Sequence, residues 1–341
     1  MPSSDPVLQH IPLPEPVEGD FVIANFAFVS GETLEGMNVH YRTLGDPANP
    51  AVLVLHGTTG SGGGMLDEGF ADALFAPGQP LAADEHYLIL PDAIGHGGSS
   101  KPSDGLRASF PHYDLEDMVH AHHALLSEHL GVEHLRLVIG HSMGGMLAWI
   151  WGIEYPDYMD ALVPMACLPA PMSGRNWMLR RLLIDSVRTD PAWHGGDYDE
   201  QPPNLRTATA WFLTATAGGD VWLQSQAPDR QAADAFIDER LATVQVGDAN
   251  DTVYQWDSSR TFDPSDGLGG IEAYVLAINS ADDERNPAEL GILEERLAGM
   301  AHAEAFVIPV GADTRGHGTT GNRAFLYADR LGAWLTSVPA P

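Results

Sequence analysis

The fold predicted for this chain depends on the stretch Leu135-Arg136-Leu137-Val138-Ile139-Gly140-His141-Ser142-Met143-Gly144-Gly145-Met146. It begins as an apolar run of strand length, passes through the pattern G-x-S-x-G at 140–144, and leads into the apolar, helix-competent segment 146–151. A strand, a sharp turn and a helix are the context in which this pattern forms a nucleophile elbow. Glycine suits both ends of the pattern because the turn is strained and a side chain there would collide with neighbouring backbone. We therefore predict that Ser142 is a nucleophile presented on a tight turn.

The composition limits the class of protein. The 341 residues suffice for one large α/β domain with an inserted subdomain, or for two domains. There are 47 acidic and 17 basic residues, and the formal net charge of −30 disfavours binding to nucleic acid or to an anionic membrane. No apolar run reaches the ~18 residues that a membrane helix requires. The single cysteine, Cys167, excludes an intrachain disulfide, and its apolar surroundings predict a buried side chain.

Residues 1–20 are polar and rich in proline, and we expect them to form an extended lead-in to the folded domain. They lack the basic and then apolar pattern of a secretory signal. The sequence as written therefore predicts a cytoplasmic protein, or a periplasmic or secreted one if a leader has been removed.

The rest of the chain alternates between strand and helix patterns, with one long exception. Segments 21–30 and 37–44 predict an antiparallel hairpin at a sheet edge, because apolar and polar residues alternate along them. Buried strands are expected at 51–55, 87–90, 135–140, 161–167, 274–278 and 305–310, and helices at 66–75, 115–130, 146–151, 287–300 and 322–335. This alternation predicts an α/β fold with a mostly parallel sheet that is covered by helices on both faces.

The exception runs from 169 to 268, where only helix-like pieces occur, at 176–188, 203–217 and 227–245. We interpret it as a helical cap, or lid, inserted into a core made of 21–168 and 269–341. Tryptophans in or near these pieces could line an acyl pocket or simply pack in the cap.

Reactive side chains follow the predicted strands, and the carboxyl ends of parallel strands are where active sites form. Ser142, Asp283 and His317 each come shortly after a strand, in the chain order of the α/β-hydrolase triad. A serine hydroxyl needs a neutral imidazole to take its proton, and that imidazole needs a carboxylate to orient it. The backbone N–H groups of Met143 and Thr58 are expected to stabilise negative charge on the substrate oxygen.

Each assignment has a rival. Asp282 could replace Asp283, although Asp283 stands four residues before Pro287, as the acid does in such folds. His302 could replace His317, but it precedes the last strand. The other histidines are assigned no catalytic or metal role: His96 is interpreted as structural, and a solvated helix face is the interpretation for His112, His120, His122, His123, His129 and His134.

No phosphate-binding loop is predicted, since the glycines at 62–64 are not followed by Lys and Ser or Thr. No cofactor and no metal are expected.

The sequence resembles the homoserine O-acetyltransferase-like branch of the α/β-hydrolase superfamily. The resemblance rests on Val39 to Gly45, Gly78 to Leu90, the elbow string Ser142 to Met146, and the cap strings Asp190 to Trp193 and Gly195 to Tyr198. It implies an acyl–serine intermediate, ping-pong turnover, a helical lid, and a possible homodimer through that lid.

The sequence departs from the acetyltransferases where they bind the amino-acid acceptor. An aspartate that follows the histidine in the family is Gly318 here, and a lid arginine that holds the acceptor carboxylate aligns with Thr209. Arg175, Arg180, Arg181 or Arg206 could substitute for that arginine.

We therefore expect hydrolysis of a small carboxylic ester. The alternative is O-acyl transfer from acyl-CoA to a small alcohol, and a third possibility is a non-catalytic binding protein. The expected partner is a small-molecule ester or acyl donor.

Overall fold

The computed structural model describes residues 13–339, so residues 1–12 of the predicted lead-in lie outside the described part. Eight strands form one sheet: β1 (Val17–Ala27), β2 (Thr33–Leu44), β3 (Ala51–Leu55), β4 (Tyr87–Pro91), β5 (Leu137–His141), β6 (Ala161–Met165), β7 (Tyr274–Ser280) and β8 (Ala303–Ile308). Their order across the sheet is β1-β2-β4-β3-β5-β6-β7-β8. β1 pairs with β2 and β2 with β4 in antiparallel fashion, and every other pairing is parallel.

The predicted edge hairpin is confirmed, although β1 begins at Val17 rather than at residue 21. The strands β3 to β6 are buried along almost their whole length. Such strands need apolar residues on both faces, which is why they read as continuous apolar runs rather than as alternating patterns.

Eleven α-helices occur in the described residues: α1 (Glu68–Leu74), α2 (Leu115–Ala124), α3 (Met143–Glu154), α4 (Gly174–Arg188), α5 (Asn204–Thr216), α6 (Asp220–Gln226), α7 (Arg230–Thr243), α8 (Ala249–Asp257), α9 (Ile292–Leu297), α10 (Thr319–Asn322) and α11 (Ala328–Ser337). Two hydrophobic clusters flank the sheet, one containing residues of α2 and α3 and the other residues of α1 and α11. The chain is thus an α/β protein with helices on both faces of a mostly parallel sheet. None of the described helices is long and apolar enough to cross a bilayer.

Five helices, α4 to α8, lie between β6 and β7. Of these, α4, α5 and α8 share a separate hydrophobic cluster that includes Leu183, Phe212 and Trp256. This cluster gives the inserted segment its own small core. We call the segment from 169 to 268 the cap, and its exact boundaries stay a prediction.

Several predicted helices are wrong in detail. The helix expected at 287–300 is a short turn (Ala288–Leu290) followed by α9, because Gly291 adopts a φ of 65° that ends the first piece. The helix expected at 322–335 is divided among α10, the turn Ala324–Leu326 and α11. No helix is predicted where α6 and α8 occur.

The prediction of a solvated histidine face is wrong for His122. This side chain is 1% exposed and packs near His56 and the backbone of Asp92, and burial lowers its pKa to about 3. His112, His129 and His134 are exposed, and His120 and His123 are half-buried. Among residues 13–339, no group of three or more His, Cys, Asp or Glu side chains is placed to hold a metal ion.

Candidate active site

Ser142 occupies the turn between β5 and α3 with φ 57° and ψ −112°, a strained conformation for a residue with a side chain. The flanking glycines permit it. A Cβ atom at Gly140 would lie 2.2 Å from the Gly144 carbonyl oxygen, and one at Gly144 would lie 2.1 Å from the Leu55 carbonyl oxygen. The close approach of β3 to the start of α3 therefore requires glycine, as the elbow pattern predicts.

The structure brings the three predicted side chains together. His317 Nε2 lies 2.9 Å from Ser142 Oγ, and His317 Nδ1 lies 2.9 Å from Asp283 Oδ2. All three residues are at most 4% exposed, although Ser142 and His317 are 175 positions apart in sequence. This row of hydroxyl, imidazole and carboxylate can move a proton from the serine to the histidine.

The carboxylate in contact with His317 is that of Asp283. Its oxygens also accept hydrogen bonds from the backbone N–H of Arg285 (2.8 Å) and from Asn286 Nδ2 (2.9 Å). Asp282 instead accepts from the hydroxyl groups of Ser280 and Thr314. Burial alone would raise the pKa of Asp283, but His317 and the hydrogen-bond donors around the carboxylate lower it overall, so the acid is held ionised.

His317 is kept neutral by its surroundings. Burial is the main cause that lowers its pKa, and the positive charges of Arg285 and Arg180 lower it further, against the opposing effect of Asp283. A neutral imidazole is the form that can accept a proton from Ser142. The rival His302 stacks on Tyr274, with ring centroids 4.5 Å apart.

The turn after β3 lies directly beside the nucleophile. A Cβ atom at Gly57 would lie 3.4 Å from Ser142 Cβ. His56 braces this turn, since its Nδ1 lies 2.8 Å from the Gly57 carbonyl oxygen and its Nε2 accepts the N–H of Ala93 at 3.0 Å. The Thr58 hydroxyl oxygen is buried without a hydrogen-bond partner.

A cavity of about 440 Å³ lies between this turn and the cap. Its lining includes Thr59 and the loop residues Gly97 and Lys101 on the core side, and Thr209, Phe212 and Trp256 on the cap side. Trp256 therefore both packs in the cap cluster and lines the cavity. Cys167 is 1% exposed, which fits the predicted buried side chain, and burial raises the pKa of its thiol.

Sequence reasoning missed Arg285 and Asn286. Asn286 donates to both Asp283 and the Ala166 carbonyl oxygen, and Arg285 is 8% exposed beside the triad. Their position in the sequence could have identified them, since both residues follow Asp283 within three places. Among the arginines considered for the acceptor site, Arg180 is fully buried, whereas Arg181 is exposed and pairs with Asp185.

A family model described as the alpha/beta hydrolase fold matches residues 50–208. The chain is 34% identical over 190 residues to a homoserine O-acetyltransferase of Thermobifida fusca, a match that covers 51% of this chain and 50% of that one. The chain spans about half the length of the curated acetyltransferases that it matches.

Two solved structures have a similar fold at low sequence identity. One is a homoserine O-acetyltransferase from Bacillus anthracis, with a TM-score of 0.82 and 19% identity over 96% of this chain and 99% of that chain. The other is an acetylester hydrolase from Corynebacterium glutamicum, with a TM-score of 0.80 and 20% identity over 94% of this chain and 96% of that chain. Together with the matching family model and the sheet order, they show that the chain has the α/β-hydrolase fold.

Proposed function

We propose that the protein is a serine acyl-enzyme that transfers an acyl group, of the size of acetyl, from an activated donor to a small alcohol. The observation that carries the proposal is the contact row from Ser142 through His317 to Asp283. The similarity to homoserine O-acetyltransferases favours transfer over the hydrolysis that the sequence led us to expect.

The proposed reaction has two halves. His317 Nε2 takes the proton of Ser142 as Oγ attacks the acyl carbonyl, and it then returns this proton to the departing donor group. In the second half, His317 takes the proton of the alcohol as that oxygen attacks the acyl–serine, and the proton finally returns to Ser142. Asp283 holds His317 in orientation and stabilises its charged form in both halves.

The backbone N–H groups of Met143 and Thr58 are proposed to hold the developing oxyanion. Met143 is the first residue of α3, so its N–H has no acceptor within the helix. The close approach of Gly57 to Ser142 supports the placement of Thr58 at the same carbonyl.

Ester hydrolysis is the second candidate. Gly318 follows His317 where the acetyltransferases carry an aspartate, and Thr209 lines the cavity where they carry an arginine. A site that binds the alcohol weakly would leave water as the acceptor.

The first experiment tests the nucleophile. Ser142→Ala should lower turnover of an activated acetyl ester by ~10⁴–10⁶-fold and abolish labelling by a fluorophosphonate probe. Ser61→Ala serves as a control, since its side chain bonds only to the nearby Gly64 N–H. If Ser142→Ala keeps most of its activity, the assignment is wrong; if the native protein is inert and unlabelled, a binding role replaces it.

The second experiment separates transfer from hydrolysis. Acetyl-CoA is supplied with homoserine, serine or simple alcohols, and thiol release is compared with the formation of O-acetyl product. The proposal expects thiol release to rise with alcohol concentration and to match product formation. Release that is independent of every alcohol would establish hydrolysis instead.

A further inference from the structure

One turn of the cap, at 217–219, lies directly against the loop of the core that carries the proposed base. This turn connects α5 to α6, and its Gly218 N–H donates a hydrogen bond to the Arg315 carbonyl oxygen at 3.0 Å. A Cβ atom at Gly316 would lie 2.6 Å from the Gly219 nitrogen, so the two backbones touch with no side chain between them. The cap therefore contacts the backbone immediately before the catalytic histidine.

A single carboxylate, that of Glu284, joins these two segments. Its Oε1 accepts the N–H of Gly219 at 2.7 Å, and its Oε2 accepts the N–H of His317 at 3.1 Å. A Cβ atom at Gly316 would lie 2.3 Å from Oε2, so glycine leaves the space that the carboxylate needs to reach His317. One oxygen of Glu284 thus binds the cap, and the other binds the histidine loop.

Two consecutive acids hold His317 at different atoms. Asp283 contacts the ring at Nδ1, at 2.9 Å, whereas Glu284 accepts the backbone N–H. The first contact orients the imidazole, and the second fixes the backbone from which the side chain extends. Both contacts therefore contribute to the 2.9 Å approach of His317 Nε2 to Ser142 Oγ.

The charge of Glu284 depends on the N–H groups that it binds. Burial raises the pKa of its carboxyl group, the N–H groups of Gly219 and His317 lower it, and the charge of Asp283 raises it further. A partly buried carboxylate is stabilised by its hydrogen-bond donors, and removal of one donor costs part of that stabilisation. Loss of the Gly219 contact would therefore weaken the position of the carboxylate that also holds His317.

We propose that Glu284 is a positioning residue that couples the cap to His317, so that the base lies within reach of Ser142 only while the turn at 217–219 is docked. When this turn lifts, the Glu284 side chain loses one of its two fixed partners and the His317 backbone is held less firmly. A displacement of ~1 Å costs on the order of 100-fold in rate. Docking of the cap thus completes the active site over a bound substrate. The inference rests on the proposed function, in which His317 is the base.

Two variants separate the hydrogen bonds of Glu284 from its charge. Glu284→Gln removes the charge but keeps one carbonyl oxygen that can accept an N–H, whereas Glu284→Met removes both acceptors and keeps a similar size. We expect kcat for an activated acetyl ester to fall ~10-fold in the Gln variant and ~100-fold in the Met variant, with little change in KM. The charge of Glu284 also acts on Arg285, and both variants remove that effect equally.

Tyr254→Phe is the matched control for a general loosening of the cap. The Tyr254 hydroxyl group on α8 donates to the Phe110 carbonyl oxygen of the core at 2.8 Å, away from the histidine loop. This variant also removes a hydrogen bond between cap and core, but it should keep the native kcat. The proposal is overturned if the Gln and Met variants lose equal activity, which would assign the effect to charge, if neither loses activity, or if Tyr254→Phe loses as much.

Hydrogen exchange of the native protein tests the coupling without any variant. The amide protons of Gly219 and His317 share one carboxylate, so we expect both to become exposed in the same opening, with the same dependence on urea. Site-resolved exchange measured by NMR gives the opening equilibrium of each amide. A His317 amide that stays protected while the Gly219 amide exchanges would contradict the coupling.

Failure of this inference can be distinguished from failure of the proposed function. Turnover that depends on Ser142, together with independent exchange of the two amides, would refute only the role of Glu284. A native protein without turnover and without fluorophosphonate labelling would instead refute the proposed function.

Discussion

His317 determines how the proposed reaction responds to pH. Catalysis requires the neutral imidazole, and burial together with Arg285 and Arg180 lowers the pKa of this histidine below its ordinary value of 6.5. We therefore expect kcat/KM to fall to half of its maximum at a pH below 6.5, because His317 stays unprotonated until the pH reaches its lowered pKa. A pH–rate profile with a neutral ester checks this, and a midpoint above pH 6.5 would contradict it.

His96 should make the fold sensitive to acid. It is fully buried, its Nδ1 lies 2.9 Å from the Ile94 carbonyl oxygen, and burial lowers its pKa to about 3. Because the native state holds this histidine neutral, its contribution to stability is complete above pH 6.5 and falls as the pH drops towards 3. In His96→Asn, the amide keeps a hydrogen-bond donor near the position of Nδ1. Asparagine cannot bind the proton that the histidine takes up on unfolding.

This variant should therefore reduce the pH dependence of the free energy of unfolding by up to ~1.4 kcal/mol per pH unit between about pH 6 and 4. Urea titrations of both proteins across this range supply the measurement. Glu116, Asp117 and Asp251 have raised pKa values and act in the opposite direction, but they are common to both proteins. Parallel curves for the two proteins would show that His96 does not contribute.

At the residue scale, local spacing was enough to place Ser142, His317 and Asp283, since each follows a recognisable strand. The spacing of residues along the sequence could not reveal that Arg180 and Arg285 both lie near Trp256 and His317. Those residues are 105 positions apart, and their relation depends on how the cap packs on the core. The sequence did not indicate that His122 is buried, because its neighbours on the helix include exposed histidines.

The elbow connects β5, α3 and β3 at a single contact. Gly144→Ala would place a Cβ atom 2.1 Å from the Leu55 carbonyl oxygen, and backbone atoms there cannot move without displacing a central strand. We expect a loss of at least ~2 kcal/mol in unfolding free energy, measured by chemical denaturation. Gly64→Ala is the control, since its nearest neighbour would be Ser61 Oγ at 3.9 Å. Equal stability of the two variants would argue against the close-packed elbow.

The strands were predicted better than the cap helices. Runs of apolar residues between turn signals identify buried strands even where the partners are unknown. In the cap, α8 is preceded by its N-cap residue, Asp248, whose side chain accepts the N–H groups of Asn250 and Asp251. That capping signal was present in the sequence but lies at the end of a region without clear periodicity. α6 has only 7 residues and follows two glycines, so its pattern is too short to detect.

The charge of the whole molecule should affect its stability. A formal net charge of −30 implies repulsion between acidic groups in the compact state. Raising NaCl from about 20 mM to about 0.5 M shortens the screening length well below 10 Å, so we expect the unfolding temperature to rise by a few degrees. KCl should give the same increase if screening is the cause. An unfolding temperature that falls with both salts would contradict the expectation.

The separation of the triad along the chain has a consequence for synthesis. Ser142 leaves the ribosome 175 residues before His317, and the whole cap and β7 and β8 are made in between. At about 5–20 residues per second this interval lasts roughly 9–35 s. For that interval, the elbow serine of a nascent chain lacks the imidazole that lies beside it in the folded protein.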